Sequence, residues 1–265
     1  MPASQNSPPW SISIGSETTL KGMTGTSIRR DAFWLVLVIA LSYPLGLALE
    51  PLFLLPLLNA LPAWWVMTRR LRAGDLRGAI LLMLAFPLAL AVLGTAYLAL
   101  WPTLDGATPK VLNGPQYRAE MFHWIRTGLG SEGDWRLFLP IHLTHLAGFV
   151  LVSLITGSLV SITGGAILTN YMNGYVASIH RADAPLWATV FFGWQPWAIC
   201  RVAAFCILGV VLAVPVLSRV FRYKAQSWSD TRPWVLLAFG LIVADWILKA
   251  TLAPTWGRIL NGAIP

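Results

Sequence analysis

Long stretches without a formal charge, separated by short charged clusters, run along the chain from Phe33 onward. Residues 33–67 carry one charge, Glu50. As a single helix this stretch would reach ~52 Å, whereas a bilayer core of ~30 Å takes about 20 residues per crossing. Glu50-Pro51 lies near its middle, so the pattern predicts two hairpin-paired helices, Phe33–Leu49 and Leu52–Met67. Gly78–Trp101 is a third uncharged run. Leu137–Ile179 is again too long for one crossing, and the break is expected at Ile162-Thr163-Gly164-Gly165, which predicts helices over 137–158 and 162–179. Ile199–Leu217 and Pro233–Leu252 complete seven spans. Leu186–Trp197 is apolar but short and holds Gly193, Gln195 and Pro196, the pattern of an interfacial or re-entrant piece.

The polar segments are brief by comparison. Residues 1–28 are rich in Ser, Thr, Gly and Pro and read as a mobile tail without a cleavable leader, leaving the first apolar segment as an anchor. The connection 102–136 is the one sizeable polar stretch. Within it Pro115–Thr127 predicts an amphipathic helix, opened by Pro115 and closed by Gly128 and Gly130, with Met121, Phe122, Trp124 and Ile125 resting on the membrane surface.

Composition turns this pattern into a fold class. Hydrophobic residues form 56% of the 265 and charged residues 11%, too few to clothe a soluble core of this size. The expected fold is therefore an all-α polytopic transmembrane helix bundle of about seven spans, forming one domain over residues 29–265. The net charge of +8 does not point to nucleic acid, because the basic residues stand in short blocks beside apolar runs. Arg69, Arg70, Arg72 and Arg77 form one block; Arg219, Arg222, Lys224 and Arg232 form another. Seven crossings with a cytoplasmic N-terminus place both blocks inside, in a bacterial inner membrane. Treating 33–67 as one crossing gives six spans and splits them from Arg29 and Arg30.

Four groups of residues could carry chemistry. Ser153, Gly157, Ser161 and Gly165 recur at intervals of four, the spacing of a helix-packing face or a subunit contact. Asn170, Asn173, Gln195 and Arg201 are polar groups inside apolar runs, which in lipid face the protein interior. Asp245 and Lys249 share a helix face at i, i+4 and can neutralise one another. Glu120/His123 and His142/His145 are two i, i+3 pairs near the outer surface. Imidazole and carboxylate there could hold zinc or another divalent metal and activate water. Cys200 and Cys206 lie six apart in one apolar run and predict neither a disulfide nor a thiolate metal site. No phosphate-binding loop, nucleophile elbow or dinucleotide signature occurs.

Residues ~148–218 resemble the stage II sporulation protein M family of membrane proteins in their sequence of features. Gly157 and Gly164-Gly165 lie in a span, Asn173-Gly174 follows, then Phe191-Phe192-Gly193-Trp194-Gln195-Pro196, then Gly209 in another span. Where that family carries His-Gly followed by Glu, this chain has Gln195-Pro196 and then Arg201. The resemblance implies a non-enzymatic partner in a membrane complex. Taken together, the expectation is a non-catalytic integral membrane subunit, scaffold or permease-like component without a cofactor, contacting lipid and other protein subunits. The alternative is a metal-dependent membrane enzyme using Glu120, His123, His142 and His145.

Overall fold

The computed structural model describes residues 16–49, 51–100 and 111–265, with side chains from Ile28 onward, and its described residues form helices and their connections. They are α1 (Ser16–Ala48), α2 (Leu54–Arg72), α3 (Leu76–Leu100), α4 (Gly114–Thr127), α5 (Trp135–Thr156), α6 (Leu159–Arg181), α7 (Leu186–Phe192), α8 (Pro196–Phe221) and α9 (Trp228–Ala263). Among the described residues, five stretches are long and apolar enough to cross a membrane: Ile28–Ala48, α3, α5, α8 and α9. The outward faces suit lipid. Phe33, Leu88, Ile155 and Leu236 are each more than 60% exposed, the reverse of a water-facing surface.

The apolar run over 33–67 does divide in two. Helix α1 ends at Ala48 and α2 starts at Leu54, with Pro51 between them, while Glu50 falls outside the described residues. Three boundaries differ from the pattern's expectation. Helix α1 starts at Ser16, inside the stretch expected to be a mobile tail. The long uncharged run 137–179 breaks at Gly157-Ser158 and not at Ile162–Gly165; both residues take left-handed φ, +57° and +67°. The Ser158 hydroxyl secures that conformation by donating to the Gly209 carbonyl at 2.6 Å. Finally, α9 extends far beyond Pro233–Leu252, to a rise of ~54 Å. A capping box starts it, in which the Ser227 and Asp230 side chains satisfy each other's backbone N–H.

Two apolar cores stack along the bundle. The larger joins α1, α2, α3, α6, α8 and α9 through residues such as Ile39, Met67, Ile80, Leu90, Val210 and Ile242. The smaller gathers Met121, Trp124, Tyr175, Ala188, Trp197, Ala253 and Leu260 from α4, α6, α7, α8 and the second half of α9. Helix α4 therefore turns Met121, Trp124 and Ile125 into protein, where a surface-lying helix would have given them to lipid. Gly257 permits this closeness, since a Cβ there would press on the Trp124 ring at 3.2 Å. At the opposite end, Asp31 on α1 is paired with Arg69 and with Arg70 of α2, and Arg70 also reaches Asp75 at 3.0 Å. Asp75 in turn accepts from the Gly78 N–H in the first turn of α3.

Candidate functional site

Each core is accompanied by a polar group, and the two groups differ in kind. In the large core the group is neutral. Asn170 and Asn173 sit at i, i+3 on α6 and so share one face. Asn170 Nδ2 donates to Asn59 Oδ1 of α2 at 2.9 Å, and Asn59 Nδ2 donates to Ser42 Oγ of α1 at 2.5 Å. The Tyr43 hydroxyl donates to Asn170 Oδ1 at 2.7 Å and accepts from Asn173 Nδ2 at 3.0 Å. Asn173 Nδ2 also donates to the Leu90 carbonyl of α3 at 2.9 Å. A Cβ at Gly94 would overlap both the Asn173 amide and the Tyr43 hydroxyl, so the network needs glycine there. Four helices are stitched together in this way, with each amide engaged on both its nitrogen and its oxygen.

The second group is ionic and lies beside the small core. His142 comes from the second turn of α5, Arg201 from the second turn of α8, Asp245 and Lys249 from α9, and Glu132 from the α4–α5 connection. Lys249 Nζ donates to Glu132 Oε1 at 2.9 Å and lies 4.7 Å from the centre of the Phe138 ring. Arg201 Nε is 3.7 Å from Asp245 Oδ2. Arg201 Nη1 is 2.6 Å from His142 Nε2. A guanidinium only donates, so His142 Nε2 must accept, which leaves the ring's proton on Nδ1. That nitrogen faces Asp245 Oδ2 at 3.4 Å. With a neutral imidazole the two cations balance the two carboxylates, which lets Asp245 and Lys249 be 1% and 2% exposed. The buried atoms His142 Nδ1, Asp245 Oδ1 and Trp197 Nε1 have no hydrogen-bond partner among the described residues.

The members outside the five long apolar helices feel this arrangement. Burial by itself would raise the Glu132 carboxyl, but the Lys249 ammonium and the Arg201 guanidinium hold it below the ordinary glutamate value. Burial pushes the Tyr117 hydroxyl well up, and Glu132 adds to that push. The Tyr117 ring packs on Tyr171 at 4.5 Å and against Tyr175 at 5.9 Å, closing the cluster from the α4 side.

The residues singled out from sequence fall in different places. Asn170 and Asn173 anchor the neutral network, while Gln195 is 1% exposed at the N-cap of α8, against Tyr175. Asp245 and Lys249 do not pair with each other; each takes its partner from another element. Ser153 and Ser161 face each other across the α5–α6 hairpin, Oγ to Oγ at 2.7 Å. Gly157 makes the turn and Gly165 lines a groove, so the four small residues do not form one continuous helix face. Of the four metal candidates, His142 is in the cluster, His145 lines the same groove, His123 is exposed and Glu120 accepts from Gln116. Among the described residues no three His, Cys, Asp or Glu side chains are gathered as metal ligands. Cys200 and Cys206 are free thiols. Sequence reasoning missed Glu132, Tyr43 and Asn59. A lone asparagine in the run Leu57–Ala63 was a readable signal; Glu132, in a Gly-rich connection, offered none. Comparisons with protein-family models, with curated proteins and with solved structures returned no match to this chain.

Proposed function

We propose that the chain is a permease-like, non-catalytic component of a bacterial inner-membrane complex, and that the His142–Arg201–Asp245–Lys249–Glu132 cluster is the polar station on its path. It crosses the bilayer seven times with its N-terminus in the cytoplasm. Helices α2 and α6 cross with the five more apolar ones, their polar residues turned inward. The α2–α3 and α8–α9 connections, rich in Arg and Lys, then face the cytoplasm and a soluble partner. The observation that carries this reading is the gathering of four ionisable side chains from three long apolar helices, with Glu132 of the α4–α5 connection joining them, in a chain with so few charges. Charged groups at membrane depth are costly and mark substrate, ion or proton routes. A second proton on His142 would remove the acceptor that Arg201 uses, which gives the station two charge states.

Cysteine accessibility tests it. In a Cys200→Ser, Cys206→Ser background, Gln195→Cys is treated with a membrane-impermeant thiol reagent on right-side-out and on inverted vesicles. A permease-like path makes position 195 reactive from both faces. Reaction from neither face would reduce the chain to a scaffold, and purification in mild detergent would then be the way to its partners.

A further inference from the structure

Two grooves open along the side of the bundle, of about 620 and 590 Å³. Pro87, Thr169 and Val202 line both, so the grooves meet there. Both carry polar groups, Thr95, His180 and Thr189 in the first, and the second gathers several at one end. Asn113, Thr144, His145 and Tyr171 stand toward the α4 end, and Val152, Val160 and Gly209 toward the other. The run of α6 from Val160 to Tyr171 rises ~16 Å, about one leaflet of a ~30 Å hydrocarbon core.

Glycine makes this space. Gly148 on α5 and Gly164 and Gly165 on α6 line the groove, and a Cβ at any of them meets nothing within 4 Å. A side chain at these positions would therefore start out into the open space of the groove. A cation stands next to the polar end. Arg201 directly precedes the lining residue Val202 and reaches His142, one turn before the lining residue His145, at 2.6 Å; its side chain is 24% exposed while those of Asp245, Lys249 and His142 stay at 6% or less. Glu120 acts on Tyr171 from the same side, but its carboxylate already accepts from Gln116. A slot one leaflet deep, open to lipid, with a guanidinium and an imidazole at its head, matches a lipid with an anionic headgroup.

We propose that the groove between α5 and α6 seats one acyl chain of an anionic glycerophospholipid, with the phosphate held at Arg201 and His145. The site shares Arg201 with the polar station but does not depend on the permease reading, since it requires only that these helices face lipid.

The protein is placed in nanodiscs made of equal parts phosphatidylcholine and phosphatidylglycerol, and native mass spectrometry counts what each chain retains. One phosphatidylglycerol is expected per chain, favoured over phosphatidylcholine by about tenfold or more. Gly164→Phe and Gly148→Phe, one on each wall, each remove it while the unfolding temperature stays at the wild-type value. The paired variant Arg201→Gln, Asp245→Asn, which keeps the cluster in charge balance, retains a lipid but loses the headgroup preference. If either Phe variant folds and keeps phosphatidylglycerol as the wild type does, the groove is not the seat. Equal retention of the two lipids by the wild type would mean that bulk lipid merely bathes the groove.

Discussion

The half of the bundle built from α1, α2, α3 and α6 and the half built from α5, α8 and α9 both bury polar side chains, on opposite terms. In the first, Ser42, Tyr43, Asn59, Asn170 and Asn173 are neutral and each finds partners on another helix. A satisfied neutral network fixes how helices sit, and membrane hydrogen bonds of this kind are worth about 1–2 kcal/mol or less each. In the second, five ionisable groups are concentrated and Asp245 Oδ1 has no partner among the described residues. Buried ion pairs are weak evidence for stability, because desolvation offsets most of the attraction. The contrast assigns architecture to the amides and chemistry to the charges.

The strongest challenge to that assignment comes from breaking each half. Asp245→Ala leaves Arg201 without its carboxylate, and removing one partner of a buried pair costs roughly 3–5 kcal/mol; unfolding in detergent should show the largest loss here. Neutralising both with Arg201→Gln, Asp245→Asn should restore most of it. If this double variant stays as unstable as the single one, the charges are structural after all. Gly94→Val drives a side chain into the Tyr43–Asn173 contact, and overpacking of this kind costs about 1–3 kcal/mol, read by the same melts. Tyr43→Phe removes one hydroxyl shared by two amides and should cost ~1–3 kcal/mol. A gentler effect is expected at Glu132. Its folded value lies below the ordinary 4.5, so its pairing with Lys249 stabilises the fold above that value and is lost as pH falls through the folded one. Melts taken between pH 3 and 6, about the window that linkage sets, should show an acid decline that Glu132→Gln lacks. Smallest of all, Glu120→Gln and His123→Ala should move stability by less than ~0.5 kcal/mol, because both side chains are exposed.

Much of the helical order was legible in the sequence because charge-free length is a strong signal in lipid. Uncharged runs and Arg blocks located α2, α3, α5, α6 and α8 to within a few residues. The α5–α6 turn was not legible. Gly164-Gly165 is the louder breaker by composition, yet the chain turns at Gly157-Ser158, where a serine takes positive φ because the Gly209 carbonyl is there to receive its hydroxyl. A partner 51 residues away leaves no local mark. The cluster was half legible for the same reason. Asp245 and Lys249 stand out as charges in a span, and their i, i+4 spacing suggested a mutual pair. Which helix answers each of them is decided by packing, which brings His142, Arg201 and Glu132 from three separate elements.

That buried turn has a bearing on how the protein can be handled. Ser158 is fully shielded, Trp64 Nε1 of α2 donates to the Gly157 carbonyl at 2.9 Å, and α2 and α8 run on past these contacts to Arg72 and Phe221. The hairpin is blind-ended: it offers no loop to cut, tag or lengthen. An epitope inserted between Gly157 and Ser158 must push apart α2 and α8, whereas the exposed stretch after Arg222 can accept extra residues with the bundle unchanged.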